Sequence, residues 1–121
     1  MAKILLAEDD ESMRRFLCGA LEKAGHGVTS FGQGDDAFDL LQTTENFDLL
    51  LTDIVMPGMD GIELARRATE IDPAIKIMFI TGFAAVALNP THQAPKDAKI
   101  LSKPFHLREL VAEVDRLMTA A

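Results

Sequence analysis

Short apolar runs and longer stretches of helical periodicity alternate along the chain. Ile4 to Ala7, Val28 to Phe31, Leu49 to Thr52, Ile75 to Ile80 and Lys99 to Ser102 read as five strands. Three of these runs are almost entirely apolar, without the in-out alternation of a half-exposed strand. That pattern belongs to strands covered on both faces, as in parallel sheets. Met13, Phe16, Leu17, Ala20, Leu21 and Ala24 recur at helical spacing before Gly25, which predicts a first helix. A short second helix carries Ala37, Leu40 and Leu41. Asp60 and Glu63 have the spacing of a capping box for a third helix that would bury Leu64, Ala65, Ala68 and Ile71. Leu107, Leu110, Val111, Val114, Leu117 and Met118 form one stripe of a last helix ending near Met118. Between Phe83 and Ala98, Asn89-Pro90 and Ala94-Pro95 interrupt any long helix, so a short helix over Phe83 to Leu88 and then a loop are expected.

Five strands alternating with five helices in 121 residues predict one α/β domain, residues 1–121, with no output domain. The expected architecture is a doubly wound (βα)5 flavodoxin-like parallel sheet with strand order 2-1-3-4-5. Sheets of this kind bind ligands beyond the carboxyl ends of their strands, where the winding reverses. Glu8, Asp9 and Asp10 follow the first strand, Asp53 the third, Thr81-Gly82 the fourth and Lys103-Pro104 the fifth. The first and third strands are neighbours in that order, so Glu8, Asp9 and Asp53 converge. Clustered carboxylates repel one another unless a cation lies among them, and an all-oxygen donor set favours Mg2+. A carboxylate can attack phosphorus to give an acyl phosphate, with Lys103 and the Thr81 hydroxyl placed to meet the phosphoryl oxygens.

Composition narrows the field. The net charge of −7, from 12 basic and 19 acidic residues, supplies no basic face for nucleic acid. No apolar stretch is long enough to span a bilayer and the N-terminus lacks the features of a signal peptide, so a cytoplasmic protein is expected. Cys18 is the sole cysteine, which excludes an internal disulfide; it reads as a buried thiol.

Ile4 to Asp10, Leu49 to Gly61, Ile80-Thr81-Gly82 and Lys103-Pro104-Phe105, in this order and spacing, resemble the receiver domain of bacterial two-component response regulators. The resemblance covers essentially the whole chain. It implies that Asp53 accepts a phosphoryl group from a histidine kinase or a histidine phosphotransfer protein. It also implies that Glu8, Asp9 and Asp53 hold Mg2+ together with the backbone carbonyl of Val55, that Thr81 and Lys103 contact the phosphoryl group, and that Asp10 caps the first helix. Such a domain catalyses only its own phosphorylation and dephosphorylation. One departure stands out: Ile100 occupies the position, three before Lys103, where the family usually has a switch aromatic.

Thr81 to Ala85, Leu101 to Leu107 and the ending Thr119-Ala120-Ala121 further resemble CpdR-type single-domain receivers. That likeness implies regulation of ClpXP proteolysis through ClpX or another protease component, with Ala120-Ala121 as a possible degradation tag. A phosphate shuttle in a phosphorelay and a motor or scaffold regulator are the alternatives. An aspartyl-phosphate phosphatase would carry its nucleophile in an Asp-x-Asp pattern after the first strand, where this chain has Glu8-Asp9-Asp10. A flavodoxin-like cofactor binder would need a phosphate-cradling loop at the same place, and an acidic loop repels phosphate.

Overall fold

The computed structural model describes residues 1–82 and 98–119. Five parallel strands, β1 (Lys3–Ala7), β2 (Gly27–Phe31), β3 (Leu49–Asp53), β4 (Lys76–Thr81) and β5 (Lys99–Ser102), form one sheet in the order β2-β1-β3-β4-β5. The described helices are α1 (Glu11–Lys23), α2 (Gly34–Leu41), α3 (Gly61–Ile71) and α4 (Leu107–Thr119). The (βα)5 expectation and its strand order therefore hold. The helix expected over Phe83 to Leu88 lies outside the described residues.

The apolar runs sort onto two faces by simple alternation. Leu5, Ala7, Leu50, Ile77 and Phe79 point toward α2 and α3, where Ala37, Leu41, Leu64, Ala65 and Ala68 cover them. Ile4, Leu6, Leu49, Leu51, Met78 and Ile80 point the other way, toward Leu17 and Leu21 of α1 and Leu110, Val114 and Leu117 of α4. Each fully buried Leu or Ile is worth about 1.5–3 kcal/mol relative to leaving it exposed. A one-residue slip of β1 or β3 would exchange the two apolar sets, so the register is strongly fixed.

Three residues depart from the stripes read in the sequence, one of them Ala24, which is the exposed C-cap of α1. Phe16 is 59% exposed and Ile71 is 47% exposed. Leu17 and Leu21 set the buried line of α1, and Phe16 lies about 100° round the helix from Leu17. On α3 the inward places go to Ile62, Leu64, Ala65 and Ala68, which leaves Ile71 at the open C-terminal end. Cys18 is half-buried beside the α1–α4 cluster.

Capping agrees with the sequence in part. Asp10 Oδ1 accepts from Met13 N at 2.9 Å, and Asp60 Oδ1 accepts from Glu63 N at 2.8 Å. The capping box of α3 is only half formed, because the Glu63 carboxylate takes Arg66 and Arg67 as partners. At the amino end of the sheet, buried His26 accepts the Ala2 N–H on Nδ1 at 2.9 Å, and its Nε2 lies 3.2 Å from Asp115 of α4. Nδ1 accepts, so the neutral ring carries its proton on Nε2 and turns it to the carboxylate.

Candidate acidic site at the carboxyl edge of the sheet

Register brings the chemistry together. β1 and β3 pair through Ala7↔Thr52, so the residues that follow, Glu8 and Asp53, emerge side by side. Glu8 extends the ladder by donating its N–H to Phe31 O at 3.0 Å. Asp53 closes β3 opposite Ile80, and Thr81 closes β4 opposite Ser102. Lys103 N donates to Thr81 O at 2.8 Å, which carries the lysine into the same edge. The Lys103–Pro104 peptide is cis.

Oxygens of Glu8, Asp9 and Asp53 all lie within 4.8 Å of one another. Glu8 is fully buried and Asp53 is 8% exposed, while Asp9 faces solvent. Among the described residues one ammonium answers two of these three carboxylates: Lys103 Nζ sits 3.0 Å from Asp53 Oδ2 and 3.2 Å from Glu8 Oε1. The remaining oxygens are steered by main chain. Ile54 N donates to Asp53 Oδ1 at 2.7 Å and Asp10 N to Glu8 Oε2 at 3.1 Å.

Burial is the largest influence on Glu8 and pushes its carboxyl above the usual value. The Asp10 N–H opposes this, the negative charge of Asp53 adds to it, and Lys103 lowers it again. For Lys103, burial disfavours the charged form. The hydrogen bond and charge of Asp53, followed by those of Glu8, outweigh it, and the ammonium is held above the usual lysine value. Among the described residues the pocket is thus short of positive charge. Three oxygen donors with no nitrogen or sulfur ligand among them suit a small hard dication.

The loop after Asp53 is drawn tightly under the site. Gly61 N donates to Ile54 O at 2.8 Å, and a Cβ on Gly61 would stand 1.9 Å from Asp53 O. Only glycine allows α3 to begin so close to the end of β3. Val55, in that loop, exposes its side chain, whereas Thr81 is fully buried. Ile100 is half-buried against the α2–α3 core. Sequence reasoning missed Arg14, whose Nη1 donates to Glu8 O at 2.8 Å.

Comparison with known proteins agrees with this geometry. Residues 4–115 match the family described as response regulator receiver domain. The response regulator receiver protein CpdR of Brucella abortus is 70% identical over 121 residues, all of this chain and all of that protein. The crystal structure of a response regulator receiver protein from Sinorhizobium medicae superposes with a TM-score of 0.89 at 35% identity, covering 98% of this chain and 94% of that one. The response regulator TrrA of Thermotoga maritima, solved in complex with Mg(2+)-BeF, gives a TM-score of 0.85 at 26% identity over 97% of this chain and 99% of that one. Among the described residues no helix is long and apolar enough to cross a membrane.

Proposed function

This chain belongs to the response regulator receiver domain family, and on that premise we propose that Asp53 is its phosphoacceptor, that Glu8, Asp9 and Asp53 hold Mg2+ with the Val55 carbonyl, and that Thr81 and Lys103 contact the phosphoryl group. As a receiver it is a phosphorylation-controlled signalling domain that acts on no external substrate. The observation that carries the site reading is the excess of negative charge around Asp53, where among the described residues Lys103 is the side-chain cation paired with Glu8 and Asp53. TrrA, solved with Mg(2+)-BeF, supports the choice of ion and of an anion with phosphoryl-like shape.

Asp53 is held for attack. Its Oδ1 is anchored by the amide of Ile54 and its Oδ2 faces Lys103. With a phosphohistidine donor, the Asp53 oxygen forms a bond to phosphorus as the phosphorus–nitrogen bond breaks, and the donor imidazole leaves neutral once it has a proton. Lys103 remains an ammonium throughout, so it can turn from the two carboxylates to a phosphoryl oxygen. The Thr81 hydroxyl, at the end of the adjacent strand, donates to another. A bound magnesium ion would offset the charge that accumulates as the phosphoryl group nears the carboxylates.

For output we propose control of ClpXP proteolysis by contact with ClpX. This is supported by the end-to-end 70% identity to Brucella CpdR. The two parts are tested separately. Acetyl phosphate with Mg2+ is expected to add one phosphoryl group to the wild type, and none to Asp53→Ala or in excess chelator; label surviving either treatment contradicts the site. Purified ClpX is expected to retain the unphosphorylated chain and release it on phosphorylation, and equal retention contradicts the output.

A further inference from the structure

Asp9 is the least supported of the three acidic residues. Among the described residues no hydrogen bond or ion pair holds its side chain, whereas Glu8 and Asp53 each have a main-chain donor and Lys103. The position of the Asp9 carboxylate must come from the backbone on either side of it. One residue holds that backbone on both sides of Asp9. Arg14 donates its main-chain N–H to Asp10 O at 2.8 Å and its guanidinium Nη1 to Glu8 O at 2.8 Å. The two bonds grip the residues before and after Asp9 and tie both to the first turns of α1.

The surroundings of Arg14 are shaped for this. Its guanidinium forms no ion pair among the described residues, so the Glu8 carbonyl is its defined partner. It lies against Gly32, just beyond β2, where a Cβ would stand 2.9 Å from Nη1. Gly32 leaves the space that the guanidinium occupies. The β1–α1 and β2–α2 connections thus meet at this side chain.

We propose that Arg14 is a positioning residue for the divalent-ion site, setting Asp9 through the Glu8 and Asp10 carbonyls, with Gly32 providing its seat. The inference rests on the reading of Glu8, Asp9 and Asp53 as ion ligands. Partners one shell removed from a metal commonly change its affinity by about 10–100-fold when removed.

The test is Mn2+ binding by the full chain, counted from the electron paramagnetic resonance signal of the free ion, with unfolding followed in chelator as a second readout. Arg14→Met is expected to weaken Mn2+ binding about tenfold. Gly32→Ala displaces only the tip of a flexible side chain, and is expected to weaken it in the same direction with Arg14 still present. The double variant is expected to bind no more weakly than Arg14→Met alone, because both changes act on one contact. Binding by both single variants within about twofold of wild type, or additive losses in the double variant, overturns the proposal. A lowered unfolding midpoint with unchanged Mn2+ affinity also overturns it, since it marks a structural role only. If Arg14→Met fails to fold, Gly32→Ala decides alone. A wild type that binds no Mn2+ overturns the ion-site reading itself, and the inference falls with it.

Discussion

Two groups of charged side chains in this molecule use the same residue types to opposite ends. On the outer face of α3, Glu63 and Glu70 are answered by Arg66 and Arg67 one turn away, all of them in contact with solvent. At the carboxyl edge of the sheet, among the described residues, Glu8 and Asp53 share the single ammonium of Lys103, Asp9 has no cationic partner, and two of the three carboxylates are buried. The exposed set is balanced and screened, and such pairs contribute little to stability. The buried set is unbalanced, and each uncompensated charge there costs folding free energy that only a cation can return. Charge that is idle on a helix surface becomes reactive when the fold removes water and withholds a partner.

The strongest way to break this contrast is to remove the half-buried ammonium of Lys103. Lys103→Met removes the ammonium shared by Glu8 and Asp53, and the metal-free protein is expected to lose about 2 kcal/mol of stability, less than a fully buried pair would cost because the Lys103 side chain is 27% exposed. Denaturant unfolding in chelator measures this. Saturating Mg2+ is expected to recover most of the loss, because a ligand bound only by the folded state stabilises it by mass action, about 2.7 kcal/mol at a hundredfold excess over its dissociation constant. A variant as stable as wild type in chelator would show that the pocket carries no excess charge.

The pH dependence of the two sets should have opposite signs. Burial raises the Glu8 carboxyl above the ordinary value of 4.5. A raised folded-state value means that the contribution of Glu8 to stability is fully present below pH 4.5 and is lost as pH rises through the folded value. Glu63 is lowered from 4.5, first by its hydrogen bond to Arg66 and then by that to Arg67. Its contribution is present above 4.5 and is lost as pH falls through the lowered value. In metal-free protein, Glu8→Gln is therefore expected to remove a decline in stability on the alkaline side of 4.5. Glu63→Gln is expected to change only the acid side, and by less, since its partners are exposed. Unfolding midpoints across pH, in chelator, compare the two.

The smallest expected effect is the most informative control. Glu63→Ala disrupts the ladder on α3 and is expected to leave phosphoryl labelling and Mg2+ affinity unchanged, with an unfolding midpoint close to wild type. A loss of labelling in this variant would mean that the two regions are coupled and the comparison is false.

The sequence showed one of these regions far better than the other. The carboxyl-edge residues were legible because strands end where apolar runs end, and the winding of a parallel sheet sends those ends to one place. Glu8, Asp9, Asp53, Thr81 and Lys103 needed no knowledge of side-chain packing. Asp10 and Asp60 were legible as caps because capping is local. Phe16 and Ile71 were misjudged because helical periodicity identifies a stripe, and the edges of a stripe depend on where the neighbouring element stops. Glu63 fitted a capping box by spacing, but two arginines on its own helix outcompeted the backbone for its carboxylate. Arg14, Gly32 and the His26–Asp115 contact were invisible, since each depends on bringing distant turns into register. The expected short helix from Phe83 and the ending Ala120-Ala121 lie outside the described residues.

The central claim, that the under-compensated acidic pocket exists to take a phosphoryl group on Asp53, is tested most directly by transfer from a phosphohistidine donor in Mg2+, followed by peptide mapping of the product. The account predicts a single base-labile, hydroxylamine-sensitive acyl phosphate on the peptide containing Asp53, absent when Mg2+ is chelated. Phosphate mapped to any other residue, or transfer that proceeds equally without a divalent ion, would contradict it.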